Sequence, residues 1–560
     1  MSFFDSHLLS LVVFVPLVFA LLVAMLPASE PGQIRTVTFI GMLVDAVLGV
    51  WAYLAYDPAG PEFQLEQRVR WIDSLGVSYH VGVDGIAASL LLLTVFLGPL
   101  VVLASTTYIT QRRKEFHLAL LVLQTVMLGA LVSLDVLLFY IFFEAMLIPM
   151  YLLIGVWGSE DRQMAAVKFF LYTLAGSLLM LVALVALYFL SGPPGGRSFD
   201  YGSIYNALLP ANRELAACAA AGTCESLTGL ARTLHTWGPW MFGAFALAFA
   251  IKVPMFPVHT WLPDAHVQAP VAGSMILAGV MLKMGTFGFW RFAMPFFPDA
   301  AHQARPLLAT LAVIGIVYGA LMCLAQRDIK KLIAYSSVSH LGYCMLGMLA
   351  ITAEGATGSA YQMLNHGVST GALFLLFGFL YERRHTRLMS DYGGIAKVMP
   401  VFTTAFLIIT FSSIAVPGTN GFIGEFLVLL GTFKSSLHLG FGVFAATGVI
   451  LGAAYMLWMV QKVFFGALAH RENMGLTDMN KREFAAVLPF LVLVLVMGLR
   501  PQPFLDRLEP STNRFIARAG LSVPGVARAG DETLRVTTMP LPPMEGATPT
   551  VAAALPSTRP

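Results

Sequence analysis

Apolar runs of roughly 20 residues recur along most of this 560-residue chain, and no other feature limits its possible folds as strongly. As a helix, such a run crosses about 30 Å of hydrocarbon. Composition agrees: 57% of residues are hydrophobic and 12% charged, where a soluble protein carries roughly 25% charged. The sequence therefore reads as an all-α polytopic membrane protein surrounded by lipids. A net charge of +3 points to no nucleic-acid partner. Leu8 to Met25 is followed at once by another apolar run, so it reads as a first span rather than a cleaved signal.

About fourteen helical segments are expected, near residues 8–26, 37–55, 86–107, 117–133, 134–157, 164–191, 239–258, 270–292, 307–325, 332–350, 361–382, 400–433, 440–461 and 484–499. Two of them look broken. The segment at 239–258 contains Pro254 and Pro257, and the overlong run at 400–433 contains Pro417-Gly418-Thr419-Asn420-Gly421. Irregular backbone at membrane depth is tolerated only against protein or water. Lys252-Val253-Pro254 in the first parallels Ala415-Val416-Pro417 in the second, five helices later. Helices four to eight and nine to thirteen would then be two five-helix units that enter the membrane in opposite senses, an inverted repeat. The expected division is three N-terminal helices over 1–116, repeats over 117–292 and 307–466, a last helix over 467–510, and a surface or disordered tail over 511–560.

Basic residues set the expected orientation. Arg35, Arg112, Arg113, Lys114, Arg162, Arg327, Lys330, Lys331, Arg383, Arg384, Arg387 and Lys397 fall on one side, continued by Lys462, Arg471, Lys481 and Arg482. The count is roughly sixteen against eight, which makes that side cytoplasmic and places both termini outside. The loop at about 192–238 is then external, where Cys218 and Cys224 either pair or stay free thiols. Cys323 and Cys344 sit in apolar helices as core residues.

Several ionisable residues lie inside the spans, where a charge costs about 2.5–3.5 kcal/mol on insertion scales. They are Glu144 in LLFYIFFEAMLIPMYLLIGVW, Lys252 after MFGAFALAFAI, Lys283, His340, His366, and Glu425 in NGFIGEFLVLLG. Plainer readings stand beside them. A buried histidine is as readily a hydrogen-bonded structural group, and Glu144 with Lys252 could be a structural ion pair. Lys168 could snorkel to the interface. Asp135 reads as a helix cap, and His259, Asp264 and His266 as capping or interface residues. No metal-ligand spacing, nucleophile–base pair or phosphate loop is present. What remains is a set of groups able to exchange protons across a dry interior. At the Lys252 break, Pro254 and Pro257 free backbone carbonyls of the preceding turn. Those carbonyls, the negative end of a half-helix, are expected to hold the cation, and displacing Glu144 would release its proton.

FFEAMLIPMYLLIGVWG, AIKVPMFPVHTWLPDAHVQAPVAGSMILAGVMLKMGTFGFWRF, RDIKKLIAYSSVSHLGYCMLG and NGFIGEFLVLLGTF resemble the antiporter-like subunits of respiratory complex I, the proton-translocating NADH:quinone oxidoreductase. The resemblance covers roughly residues 1–510. It implies fourteen transmembrane helices, two inverted repeats and discontinuous seventh and twelfth helices. It matches Glu144 to the family's fifth-helix glutamate, Lys252 to its seventh-helix lysine and Lys283 to its central eighth-helix lysine. His340 and His366 match positions linking the halves. Glu425 matches the twelfth-helix acid, where L-type and N-type subunits usually carry lysine. It further implies a subunit of an enzyme with no redox centre of its own, FMN, iron–sulfur clusters and quinone being expected in other subunits. The partners would be L-type and N-type neighbours, small K-, J- and A-type subunits and the NADH-oxidising arm, in a bacterial inner membrane. The alternatives are a subunit of an Mrp-type cation/proton antiporter, the membrane arm of an energy-converting hydrogenase, and a structural scaffold whose buried charges hold helices in register.

Overall fold

The structure, a computed structural model, describes residues 3–193, 195–222, 224, 227–523 and 534–542. Twelve helices among them are long and apolar enough to cross a membrane: Ser6–Met25, Pro31–Ala55, Gly85–Ala104, Arg113–Val132, Val136–Trp157, Arg162–Leu190, Val271–Phe296, Pro298–Ala325, Ile329–Ala350, Ala353–Arg384, Leu439–Phe464 and Lys481–Leu499. They are apolar all round, as helices enclosed by lipid or by other helices must be. Their burial is uneven. Val271–Phe296 and Ala353–Arg384 are enclosed by protein over their whole apolar stretch, whereas most of Pro31–Ala55 faces outward. The enclosed helices carry Lys283 and His366, so those charges meet protein and never lipid.

Two further helices are interrupted. Gly229–Lys252 stops at the lysine and the chain resumes helix at Trp261–Gln268; Pro400–Ser413 stops before Pro417 and resumes at Asn420–Lys434. Both stop with an equivalent pair of backbone hydrogen bonds, although Ala415 (φ +56°) takes a left-handed conformation where the first break has Pro254. Val253 N donates to Phe249 O and Met255 N to Ala250 O; Ile414 N donates to Thr410 O and Val416 N to Phe411 O. Matching these turns sets Lys252 opposite Ser413. The pairing of Pro254 with Pro417 suggested by the sequence is therefore two residues out of register, and Lys252 has no basic counterpart in the second break.

Three elements depart from the sequence reading. Gln64–Ile72 and Val77–Val83 form an antiparallel two-stranded hairpin, the only strands among the described residues. The expected loop at 192–238 instead contains the helix Tyr201–Ala221 and the start of Gly229–Lys252. Cys218, near the end of that helix, is disulfide-bonded to Cys224 with Cα atoms 5.1 Å apart. Past Arg500, Gln502–Ala519 is a helix that buries Leu508, Phe515 and Ala519 against the bundle; of the tail expected over 511–560, residues 511–519 belong to this helix, 520–523 and 534–542 are also described, and 524–533 and 543–560 lie outside the described residues.

The hairpin is fastened by His80, whose side chain is wholly buried. Its Nδ1 meets Asp200 Oδ1 at 2.7 Å and its Nε2 meets Glu66 Oε2 at 3.0 Å. Asp200 also pairs with Arg68 at 3.3 Å and caps Tyr201–Ala221 by accepting from Ser203 N. Burial by itself lowers the His80 pKa, but the two carboxylates outweigh it and hold the imidazole above its ordinary value. The segment 534–542 is strapped over this cluster. Asn206 clamps both backbone groups of Val536, and Glu66 and Arg68 take Met539 N and O.

Candidate functional site

Glu144 lies at the end of Val136–Ala145, two residues before Met146, through which the chain continues into Leu147–Trp157. Its Oε1 accepts from Ser177 Oγ at 2.9 Å and its Oε2 has no partner. Lys252 is 2% exposed, and its Nζ also has no partner. The ammonium lies 4.9 Å over the Phe143 ring and 5.8 Å from that of Phe169, where the ring faces attract a cation. The expectation that freed carbonyls hold this lysine is not met. Ala250 O is taken by Met255 N and Ile251 O by Trp261 Nε1 at 2.9 Å. Acid and base thus make no hydrogen bond to each other, and each has one unmet hydrogen-bonding atom.

The Lys283 helix lies directly on this break. A Cβ at Gly285 would stand 2.6 Å from Phe249 O and 2.7 Å from Val253 N, so only glycine allows the approach. Around Lys283 the winding departs from α: Leu277–Met281 and Phe289–Ala293 are π-helical. A π-turn disturbs the regular backbone ladder, and the Lys283 ammonium donates to Ala278 O within it. The same ammonium meets His366 Nδ1 at 2.6 Å, leaving His366 Nε2 without a partner.

From His366 the line continues across helices. The His340 ring lies 5.8 Å from that of His366, centroid to centroid. His340 Nδ1 meets Glu425 Oε1 at 2.9 Å, and its Nε2 has only Ser413 Oγ, at 3.4 Å. Gln362 Nε2 donates to the same Glu425 oxygen at 3.1 Å, and Asn365 holds Gln362 in turn. Gly424 makes this possible, since a Cβ there would stand 2.3 Å from Gln362 Oε1. Ser412 Oγ donates to Asn420 Oδ1 across the second break and is itself 2.6 Å from Ser369 Oγ. Lys283, His366, His340 and Glu425, distant in sequence, therefore form one row; Glu144 and Lys252 form a separate pair at its near end.

The other residues sort differently. Asp135 caps its helix by accepting from Leu137 N and Leu138 N. Lys168 and Asp264 form a half-exposed ion pair at 2.7 Å, of small energetic weight. His259 packs on Phe256 and Tyr318. His266, discounted by the sequence reading, is fully buried, stacks 4.6 Å from the Phe374 ring, and has neither nitrogen hydrogen-bonded. The reading also passes over Gln362, Asn365 and Asp45. Asp45, in the middle of Pro31–Ala55, is fully buried with Oδ2 accepting from Gln124 at 2.9 Å; its signal was a lone acid in MLVDAVLGVW, the same kind that marks Glu144. Among the described residues no three His, Cys, Asp or Glu side chains converge as metal ligands would.

Comparison with known proteins places this chain in a family. Residues 133–452 match the family described as NADH:quinone oxidoreductase/Mrp antiporter, transmembrane, and residues 68–132 the amino terminus of NADH-ubiquinone oxidoreductase chain 4. NADH-quinone oxidoreductase subunit M of Rhodobacter capsulatus is 43% identical over 535 residues, spanning 94% of this chain and all of the relative. NADH-ubiquinone oxidoreductase chain 4 of Marchantia polymorpha is 38% identical over 92% of this chain and 97% of its own length. A chain of Thermus thermophilus respiratory complex I with bound NADH superposes with TM-score 0.78 at 35% identity, over 92% of this chain and 99% of that one. A chain of the Mrp complex from Dietzia sp. DQ12-45-1b gives 0.76 at 20% identity, over 94% and 99%, a likeness of fold. The chain belongs to the NADH:quinone oxidoreductase/Mrp antiporter family, as one of its antiporter-like membrane subunits.

Proposed function

We propose that the chain is the M-type subunit of a proton-pumping NADH:quinone oxidoreductase and that protons cross it along the buried row. The observation that carries this is the run Lys283–His366–His340–Glu425, which joins four separate helices through an interior closed to lipid. Each member can gain or lose a proton, and the gap between the two rings is short enough for one bridging water. Glu144 and Lys252 serve as the gate. Their unpaired atoms leave the acid free to approach or leave the lysine without first breaking a bond between them. Charge rearrangement arriving from a neighbouring membrane subunit would shift Glu144. Lys252 would then lose its proton, and the charge would pass to Lys283, the histidines and Glu425. Electron transfer from NADH to quinone, with its FMN and iron–sulfur clusters, belongs to other subunits in this reading.

The twelve continuous spans and the two interrupted helices add to fourteen crossings. The equivalent hydrogen bonds that end the helices at Lys252 and Ser413 support two five-helix units over 117–292 and 307–466, inverted relative to each other. Bacterial relatives support a bacterial inner membrane, and the basic-residue bias supports both termini on its periplasmic side. Partners are L-type and N-type neighbours, small K-, J- and A-type subunits and the NADH-oxidising arm.

The test is Glu144→Gln in the assembled complex, reconstituted into vesicles and driven by NADH, with interior acidification followed by a pH dye. Pumping should fall at least about tenfold. Undiminished pumping in an intact, NADH-oxidising complex sinks the gate and the row behind it.

A further inference from the structure

A cavity of about 20 Å³ lies where four parts of the chain meet. Trp290 and Arg291 reach it from the end of Val271–Phe296, and Arg514 and Arg518 from Gln502–Ala519. Asp84, the cap of Gly85–Ala104, and Glu62, just before the hairpin, complete its charged lining. One water needs at least about 10–15 Å³. The space therefore admits a single particle of about that size and no polyatomic anion.

This lining is unbalanced in charge and in hydrogen bonding. Three arginines face two carboxylates, and both carboxylates are engaged. Glu62 accepts through both oxygens from Arg518, each at 2.6 Å. Asp84 Oδ1 accepts from Ala87 N at 2.8 Å and lies 2.8 Å from Arg291 Nη2. Arg514 has no carboxylate partner among the described residues. Trp290 Nε1, Arg291 Nη1 and Arg514 Nη1 are shielded from solvent and have no hydrogen-bond partner in the chain. All three are donors, and no oxygen of Glu62 or Asp84 is orphaned beside them. A water held there would need acceptors for its own two hydrogens. An anion accepts from every donor and supplies the missing negative charge.

We propose that this cavity binds one monatomic anion of the chloride kind, held by Trp290 Nε1, Arg291 Nη1 and Arg514 Nη1. The anion ties the end of the helix that carries Lys283 to Gln502–Ala519. Those two helices already touch there, the Trp290 and Phe515 rings lying 4.0 Å apart, centroid to centroid. Gly85 allows the second helix to come close, since a Cβ there would stand 1.8 Å from Arg507 O. The site concerns the attachment of Gln502–Ala519, and it stands or falls apart from any pumping role.

The test keeps the full-length chain with whatever it assembles with. The purified assembly is immobilised on scintillant beads at fixed ionic strength, and bound radioactive chloride is counted. Wild type is expected to hold one chloride more per assembly than Arg514→Gln or Trp290→Phe, whose affinity at this site drops about tenfold or more. Unlabelled chloride should displace it, while gluconate, too large for the cavity, should not. Hydrogen exchange gives a second readout. Replacing chloride by gluconate should speed exchange across Gln502–Ala519 about tenfold in wild type and leave the variants unchanged. Equal chloride counts in wild type and both variants overturn the proposal and leave the cavity to water. Displacement by gluconate as readily as by chloride also overturns it, since that marks adsorption at the surface. Should Arg514→Gln prevent assembly, Trp290→Phe, which keeps the ring packing and every charge, decides by the same count.

Discussion

His80 and His340 are both buried, and each meets a carboxylate through Nδ1, Asp200 at 2.7 Å and Glu425 at 2.9 Å. They differ in the second nitrogen. His80 Nε2 is taken by a second carboxylate, Glu66, at 3.0 Å, and both acids have further partners in Arg68, Ser203 and Met539. His340 Nε2 has only a hydroxyl at 3.4 Å, and the ring beside it, His366, has one nitrogen with no partner at all. A saturated imidazole ties elements together; an unsaturated one can pass on what it receives. Whether a buried histidine–carboxylate pair is a rivet or a relay is therefore decided by the far side of the ring.

The comparison breaks first on pumping. His340→Gln is expected to lower NADH-driven proton translocation about a hundredfold, while His80→Gln leaves it within about twofold of wild type. Equal losses in vesicle assays of both variants would erase the distinction. Next, Glu425→Gln should cost about tenfold in the same assay, with Gln362 and His340 left facing a neutral amide. The rivet has its own signature. His80→Gln removes the imidazole that joins two carboxylates, leaving Asp200 to Arg68 and Glu66 without its charged partner, a loss of about 3 kcal/mol, read as a lower midpoint for thermal loss of the hairpin-side structure. The pH response sharpens this further. The His80 value is raised in the folded state, so its contribution is complete below the ordinary value of about 6.5. It fades as pH rises through the folded-state value. Amides of 534–542 should accordingly lose exchange protection, beyond the intrinsic rate, on going from mildly acidic to alkaline buffer. Smallest of all, Ser413→Ala removes only the long hydroxyl contact to His340 and should change pumping by less than about twofold.

The membrane framework was legible because its signals are local. Apolar length marks a span, and Pro254, Pro257 and Pro417 mark the breaks wherever they pack. Residues such as Glu144, Lys283 and Glu425 stood out as lone charges in apolar runs, although Asp45 carried the same mark and was missed. Contacts were another matter. That Lys283 reaches His366, 83 positions away, is set by how two enclosed helices pack. That Lys252 rests on Phe143 rather than on freed carbonyls depends on Trp261 reaching back to Ile251. Gln362 and Asn365 look like ordinary polar helix residues until Gly424 admits them to Glu425. The hairpin was hidden by its charges: in QLEQRVRWI the alternation is present, but Glu66 and Arg68 sit on the face that the His80 cluster buries.

The π-wound stretch Leu277–Met281 means that the helix carrying Lys283 holds more chain than regular α winding would use over the same rise. Removing one residue from that stretch would let the winding close into plain α without breaking the span. Everything beyond it would keep roughly its present facing, because the wide turn is what absorbs the surplus residue, and the lysine would still look toward His366. What the deletion takes away is the irregular turn itself, and with it the Ala278 carbonyl that receives the Lys283 ammonium: a single-residue deletion between Leu277 and Met281 is expected to leave a folded, inserted protein whose central lysine has lost a backbone acceptor.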